Sequence, residues 1–156
     1  MRMSIRLSAG LLTLALSVAT PAIGHGDAEK LPPGPIKDRI ELMEGIGDDA
    51  KAINDALKAN KPADAAAPAE RIADAVPKFM KMFPEGSISD DSRAKPNIWT
   101  SRDEFDAFST YLEKEARALA VAAREGGDVK DASKKLWKSC KSCHQKFRKP
   151  KEGEEE

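Results

Sequence analysis

The sequence predicts an all-α fold: an antiparallel four-helix bundle with one long connection between the second and third helices. Three observations predict it. Four segments repeat apolar residues at spacings of three and four, the period of a helix rather than a strand. Two of the three links between them are short, which makes the flanking helices antiparallel, and the third is long. No stretch alternates as a strand would, and no internal repeat is present.

In the first segment Ile36, Ile40, Met43, Gly47, Ala50, Ile53 and Leu57 form the stripe. Asn60 to Asp64, with Pro62, is a short polar hinge. In the second, Ala69, Ile72, Val76, Phe79, Met80 and Phe83 repeat the pattern, and the two prolines predict a start near Pro68 or a bend at Pro77. Pro84 to Trp99, rich in Ser, Asp, Gly and Pro, is the long connection and must cross the bundle or one of its ends. The third stripe is Phe105, Phe108, Leu112, Ala116, Leu119 and Ala123; Ser101 and Glu104 before it have capping-box spacing. Gly126–Gly127 is a tight turn, and Asp128 is placed to cap the fourth segment, whose stripe is Val129, Ala132, Leu136, Cys140, Cys143 and Phe147. Aromatic residues are 5% of the chain and many inward positions are Ala or Gly, which predicts a space between helices that something apolar fills.

Residues 1–24 read as an export signal: Arg2 and Arg6 precede the uncharged run Leu11 to Thr20, and Ala22 and Gly24 fit a cleavage site before His25. The run is shorter than the roughly 20 residues that span a bilayer, so no membrane span is expected in the mature form. The domain is then 25–150, with a charged tail at 151–156. Without Arg2 and Arg6 the chain has 24 basic residues against 26 acidic. Its lysines look scattered, which excludes a nucleic-acid partner. Neither a Ser-His-Asp set nor a pair of carboxylates is present to suggest an enzyme.

Only two cysteines occur, in Cys140-Lys141-Ser142-Cys143-His144, the C-x-x-C-H pattern of covalent haem attachment. On a helix, residues at i, i+3 and i+4 share a face, so two thiols can meet the two vinyl groups along one haem edge while the imidazole reaches the iron. A disulfide here would close only a tiny loop and restrict the unfolded chain little. A thiol oxidoreductase site opens a helix beside a strand, and this pair lies deep in a last helix. A zinc site needs four ligands, and only three are here. The cofactor expected is one haem c.

The chain resembles the class II c-type cytochromes, the cytochrome c' family and its six-coordinate relatives of the c-556 type. The resemblance covers nearly the whole mature chain. It rests on the haem motif near the C-terminus with Phe147 and Arg148 after it, on Lys95-Pro-Asn-Ile-Trp99, and on Leu42-Met-Glu-Gly-Ile-Gly47. It implies a periplasmic protein with Cys140 and Cys143 as thioethers and His144 as axial iron ligand. Redox donors and acceptors are the implied partners, and a homodimer through the first helix the implied assembly.

Function turns on the sixth ligand. Met43, Met80 and Met82 remain after the signal, and on the residues alone core packing accounts for each. Met43 lies on the first stripe beside Gly45 and Gly47, which invite the close approach of a flat ring. The resemblance places Met43 where the six-coordinate branch has its ligand, and where the five-coordinate branch has a bulky distal residue. Met80 is the alternative; Met82 is off the stripe. Arg39, one turn before Met43, resembles the family's arginine near a haem propionate, the other reading being an exposed helix arginine. Iron held by His144 and Met43 implies a one-electron carrier; an open distal side implies a binder of small gases such as nitric oxide.

Overall fold

Residues 28–150 are described by the structure, a computed structural model. The export segment 1–24, His25 and the tail 151–156 lie outside the described residues. Five helices follow in order: α1 (Pro35–Lys58), α2 (Ala66–Lys81), the single turn α3 (Asn97–Thr100), α4 (Arg102–Glu125) and α5 (Val129–Phe147). The four long ones are the four predicted stripes, and no strand occurs among the described residues.

The helix ends follow local chemistry. Pro35 opens α1, where its fixed φ suits the first helical position and no donor is lost. Asn60, in the left-handed region at φ 56°, closes α1, and the next N–H, of Lys61, bonds the Ala56 carbonyl at 2.9 Å. The hinge then winds into a 3-10 turn, Pro62–Ala65. α2 starts at Ala66, which puts Pro68 in its first turn, and the helix continues through Pro77 to Lys81. Arg102 from α4 donates to the carbonyls of Met80 and Phe83 at 3.3 and 3.4 Å, so acceptors at the end of α2 are satisfied from another helix. Phe83 lies past that end yet is buried. Gly126, at φ 74°, ends α4, and the Asp128 carboxylate caps α5 by accepting from the Asp131 N–H at 2.9 Å.

The capping box at Ser101 does not form. Ser101 is both the end of α3 and the start of α4, and its N–H is already given to the Asn97 carbonyl at 2.9 Å. Glu104 therefore has nothing to reach back to and instead pairs with Lys146 of α5. Asp49 of α1 pairs with Arg71 of α2 at 2.6 Å.

Apolar packing divides into two clusters. One is rich in alanine: Ala69, Ala73, Ala116 and Ala120 let α1, α2 and α4 approach around Ile53, Ile72 and Leu119. The other is aromatic, a chain of edge-to-face rings running Phe79, Phe83, Phe105, Phe147 with centroids 4.9 to 5.1 Å apart. α2 packs on α4, α4 on α5 and α1 on α2, whereas α1 and α5 make no extensive backbone contact. The expectation that small residues leave the space holds for Gly47 and Ala50, which border it, and not for the alanines of this cluster. The alanines close their end of the bundle, and the space lies where α1 and α5 stand apart.

Glycine shows two opposite costs. A Cβ on exposed Gly45 would meet nothing within 4 Å, so Gly45→Ala should stabilise the fold by about 1 kcal/mol through helix propensity. Gly126→Ala, at positive φ, should destabilise it by about 1 kcal/mol. Urea unfolding of the two variants beside the parent checks both signs.

Candidate functional site

A cavity of about 260 Å³ occupies the gap between α1 and α5, walled by α2 and α4 and by the connection. α5 contributes Cys140, Cys143 and His144 from one face, together with Trp137 and Phe147. The register of that face is held at both ends of the helix. Asp128 caps the start. At the finish the connection supplies donors to otherwise unpaired carbonyls: Lys95 N–H to Phe147 at 2.9 Å, Lys95 Nζ to Gln145 at 3.0 Å and Asn97 Nδ2 to Lys146 at 3.2 Å. A single antiparallel bridge, Ala94 with Arg148, continues the clamp. Two of the five residues Lys95–Trp99 noted in the sequence therefore fasten the helix that carries the thiols. Trp99 packs tilted against Phe83 and also donates its indole N–H to the Pro84 carbonyl at 3.0 Å.

Opposite α5, α1 lines the cavity with Arg39, Ile40, Met43, Ile46, Gly47 and Ala50. Gly47 is on the cavity and Gly45 is not, so the close-approach argument applies to Gly47 alone. Met80 does not reach the cavity: it lines a separate hollow on the α2/α4 side with Pro77 and Arg102. Of the sequence candidates, Arg39, Met43, Cys140, Cys143 and His144 are all brought to one cavity.

Arg39 is not an exposed helix arginine. It is 3% exposed, its guanidinium lies 4.7 Å over the Phe83 ring, and it makes four hydrogen bonds. Nη1 donates to the Met82 carbonyl at 3.3 Å and to Ser87 Oγ at 2.9 Å; Nη2 donates to the Ser87 carbonyl at 2.7 Å and to Ser92 Oγ at 2.8 Å. All four acceptors are neutral, and burial pushes the guanidinium below its ordinary pKa. A cation so placed favours an anion beside it. Ser87 and Ser92 were missed in the sequence, because nothing in a loop's serines marks which will meet an arginine 48 and 53 residues earlier.

Burial pushes both thiols up to about 11. That is opposite to the lowered pKa that a disulfide-exchanging thiol needs, so the geometry does not suit a thiol oxidoreductase. Among the described residues no set of three or more His, Cys, Asp or Glu is arranged to hold a bare metal ion.

The profile of the family described as Cytochrome C' matches residues 34–148. The chain belongs to the cytochrome c' family. It is 35% identical over 115 residues to a cytochrome c' of Pararhodospirillum photometricum, covering 70% of this chain and 92% of that one. It is 34% identical over 119 residues to a cytochrome c-556 of Agrobacterium fabrum, covering 74% and 81%. The solved cytochrome c prime of Shewanella frigidimarina superposes with a TM-score of 0.67 at 30% identity, covering 74% of this chain and 94% of that one.

The family binds one covalently attached c-type haem, and the residues present fit it: two thiols and an imidazole from one helix face line a largely apolar cavity with a buried cation on its wall. A cytochrome c' fold built on this cavity depends on Arg39. Arg39→Ala would leave the half-buried Met82 and Ser87 oxygens and the buried Ser92 hydroxyl without their donor, and should cost about 3 kcal/mol. Faster proteolysis within residues 84–96, beside a lowered urea midpoint, is the expected signature.

Proposed function

We propose that this cytochrome c' family member is a periplasmic one-electron carrier with a low-spin haem iron held by His144 and Met43. The observation that supports it is that Met43 and His144 line the same cavity from facing helices, whereas Met80 lines another. Imidazole and thioether sulfur are the ligand pair of low-spin electron carriers, and the sulfur raises the potential. What the haem supplies when bound is a ferric–ferrous couple. The chain does the rest: Cys140 and Cys143 hold the macrocycle by thioether bonds, and the walls of Ile40, Ile46, Phe79 and Phe105 keep water from the site. Arg39 sets a positive charge where a propionate can take it. No residue is assigned a catalytic step, and redox proteins are the partners. The arginine-led apolar segment at 1–24 supports export, and no helix among the described residues is long and apolar enough to cross a membrane. A homodimer through α1 follows the family analogy.

A second reading has comparable support among relatives, since the cytochrome c' and c-556 identities are nearly equal. In it Met43 only packs, the iron is five-coordinate, and the protein binds small gases such as nitric oxide. The ferric absorption and electron-spin spectra separate the two. The carrier reading expects a low-spin parent and a high-spin Met43→Ala; a high-spin parent overturns it and selects the gas binder.

Attachment is tested apart from ligation. Haem staining after denaturing electrophoresis should give a band for the parent and for Met43→Ala, and none for the Cys140→Ala/Cys143→Ala double variant.

A further inference from the structure

The chain as a whole is nearly neutral, but its charge is not evenly placed. From Val129 to Lys149 there are eight basic residues and one acid, Asp131; from 28 to 128 there are 15 basic residues against 20 acidic. The impression of scattered lysines is thus corrected for α5, which is basic on a chain that is otherwise acidic. Lys135 is engaged with Asp131 at 2.9 Å and Lys146 with Glu104. Lys130, Lys134, Lys138 and Lys141 are exposed and form no ion pair with a described residue. At 3.6 residues per turn these four fall within an arc of about 80° and form a row about 16 Å long. By the same arithmetic the centre of the row lies about 130° round the helix from the face of Cys140, Cys143 and His144, and its Lys141 end, about 60° from His144, borders that face.

We infer that this row is the docking surface for an acidic redox protein, which meets α5 through carboxylates and exchanges its electron at the adjoining edge of the cavity. The inference rests on the carrier reading and adds the partner's chemistry to it. Four like charges left unpaired on one helix face repel each other, and an acidic partner removes that repulsion while its approach is steered and oriented. A protein suits the row better than an anionic membrane does. A helix that lies on lipid turns large apolar residues outward, whereas Val129, Leu136 and Phe147 of α5 are buried in the bundle.

The experiment uses the haem-loaded full chain at low ionic strength. K130Q/K134Q/K138Q/K141Q is compared with K61Q/K78Q/K81Q/K114Q, which removes the same four charges from exposed sites elsewhere. Ferricyanide takes one electron from the ferrous protein and leaves as ferrocyanide. The α5 variant should slow this by about tenfold and speed oxidation by the cationic tris(phenanthroline)cobalt(III), while the control variant changes either rate less than twofold. Binding of a deca-glutamate peptide, read by calorimetry, should be lost in the α5 variant only and should weaken with added salt.

Equal effects of the two variants on rate and binding would overturn the inference, by showing that only net charge matters. Binding to phosphatidylglycerol vesicles without binding to the peptide would overturn it in favour of a membrane. Peptide binding that emerges only in E152Q/E154Q/E155Q/E156Q would overturn it in favour of the chain's own acidic segment as occupant. A wild type that passes no electron to either metal complex refutes the carrier reading instead, and the peptide measurement still tests the row.

Discussion

One buried guanidinium holds the two sides of the site in relation to each other. Arg39 leaves α1 one turn before Met43 and ends on the connection, where four hydrogen bonds fix Met82, Ser87 and Ser92. The same connection then fastens the end of α5 through Lys95 and Asn97. α1 and α5 touch little directly. Their relative position is set through this route and through α2 and α4, and a cavity can persist between them without collapsing. A direct α1–α5 contact would fill the space the haem needs.

The polar part of this arrangement is costly to bury and gains its stability from being satisfied. Three of the connection's bonds to α5 end on backbone carbonyls that a helix terminus leaves open, and two of Arg39's end on loop carbonyls. The site is therefore framed by polar bonds at its rim and lined by apolar side chains within. Ionic pairs play a smaller part: those on the outer faces, such as Lys51 with Asp55, are exposed and contribute little.

The helices were legible in the sequence because burial repeats every three or four residues, and Ile53, Ile72, Leu119 and Leu136 are indeed fully enclosed. The attachment face was legible for the same reason, since i, i+3 and i+4 place three side chains together without tertiary information. What escaped reading depended on residues far apart in the chain. Glu104 was assigned to Ser101, three residues away, and found Lys146, 42 residues away. The burial of Arg39 followed from loop oxygens that no periodicity announces. The alanines were read as gaps, because composition does not say whether small side chains separate two backbones or bring them together. Met43 and Met80 both lay on apolar stripes, and only the turn of each helix sent one to the cavity and the other to the far side of α2.

The backbone bridge between Ala94 and Arg148 carries a practical corollary. Lys149 is tied back as well, its N–H to the Arg93 carbonyl at 2.7 Å and its own carbonyl to Arg93 Nε at 3.0 Å. Arg93, Ala94 and Arg148 all line the cavity. A surface anchor joined to the chain soon after Pro150 would thus be seated at the cavity rim rather than at the alanine-packed end. On an electrode, such a tether would present the haem end of the molecule to the metal, with the rest of the bundle behind it instead of in between.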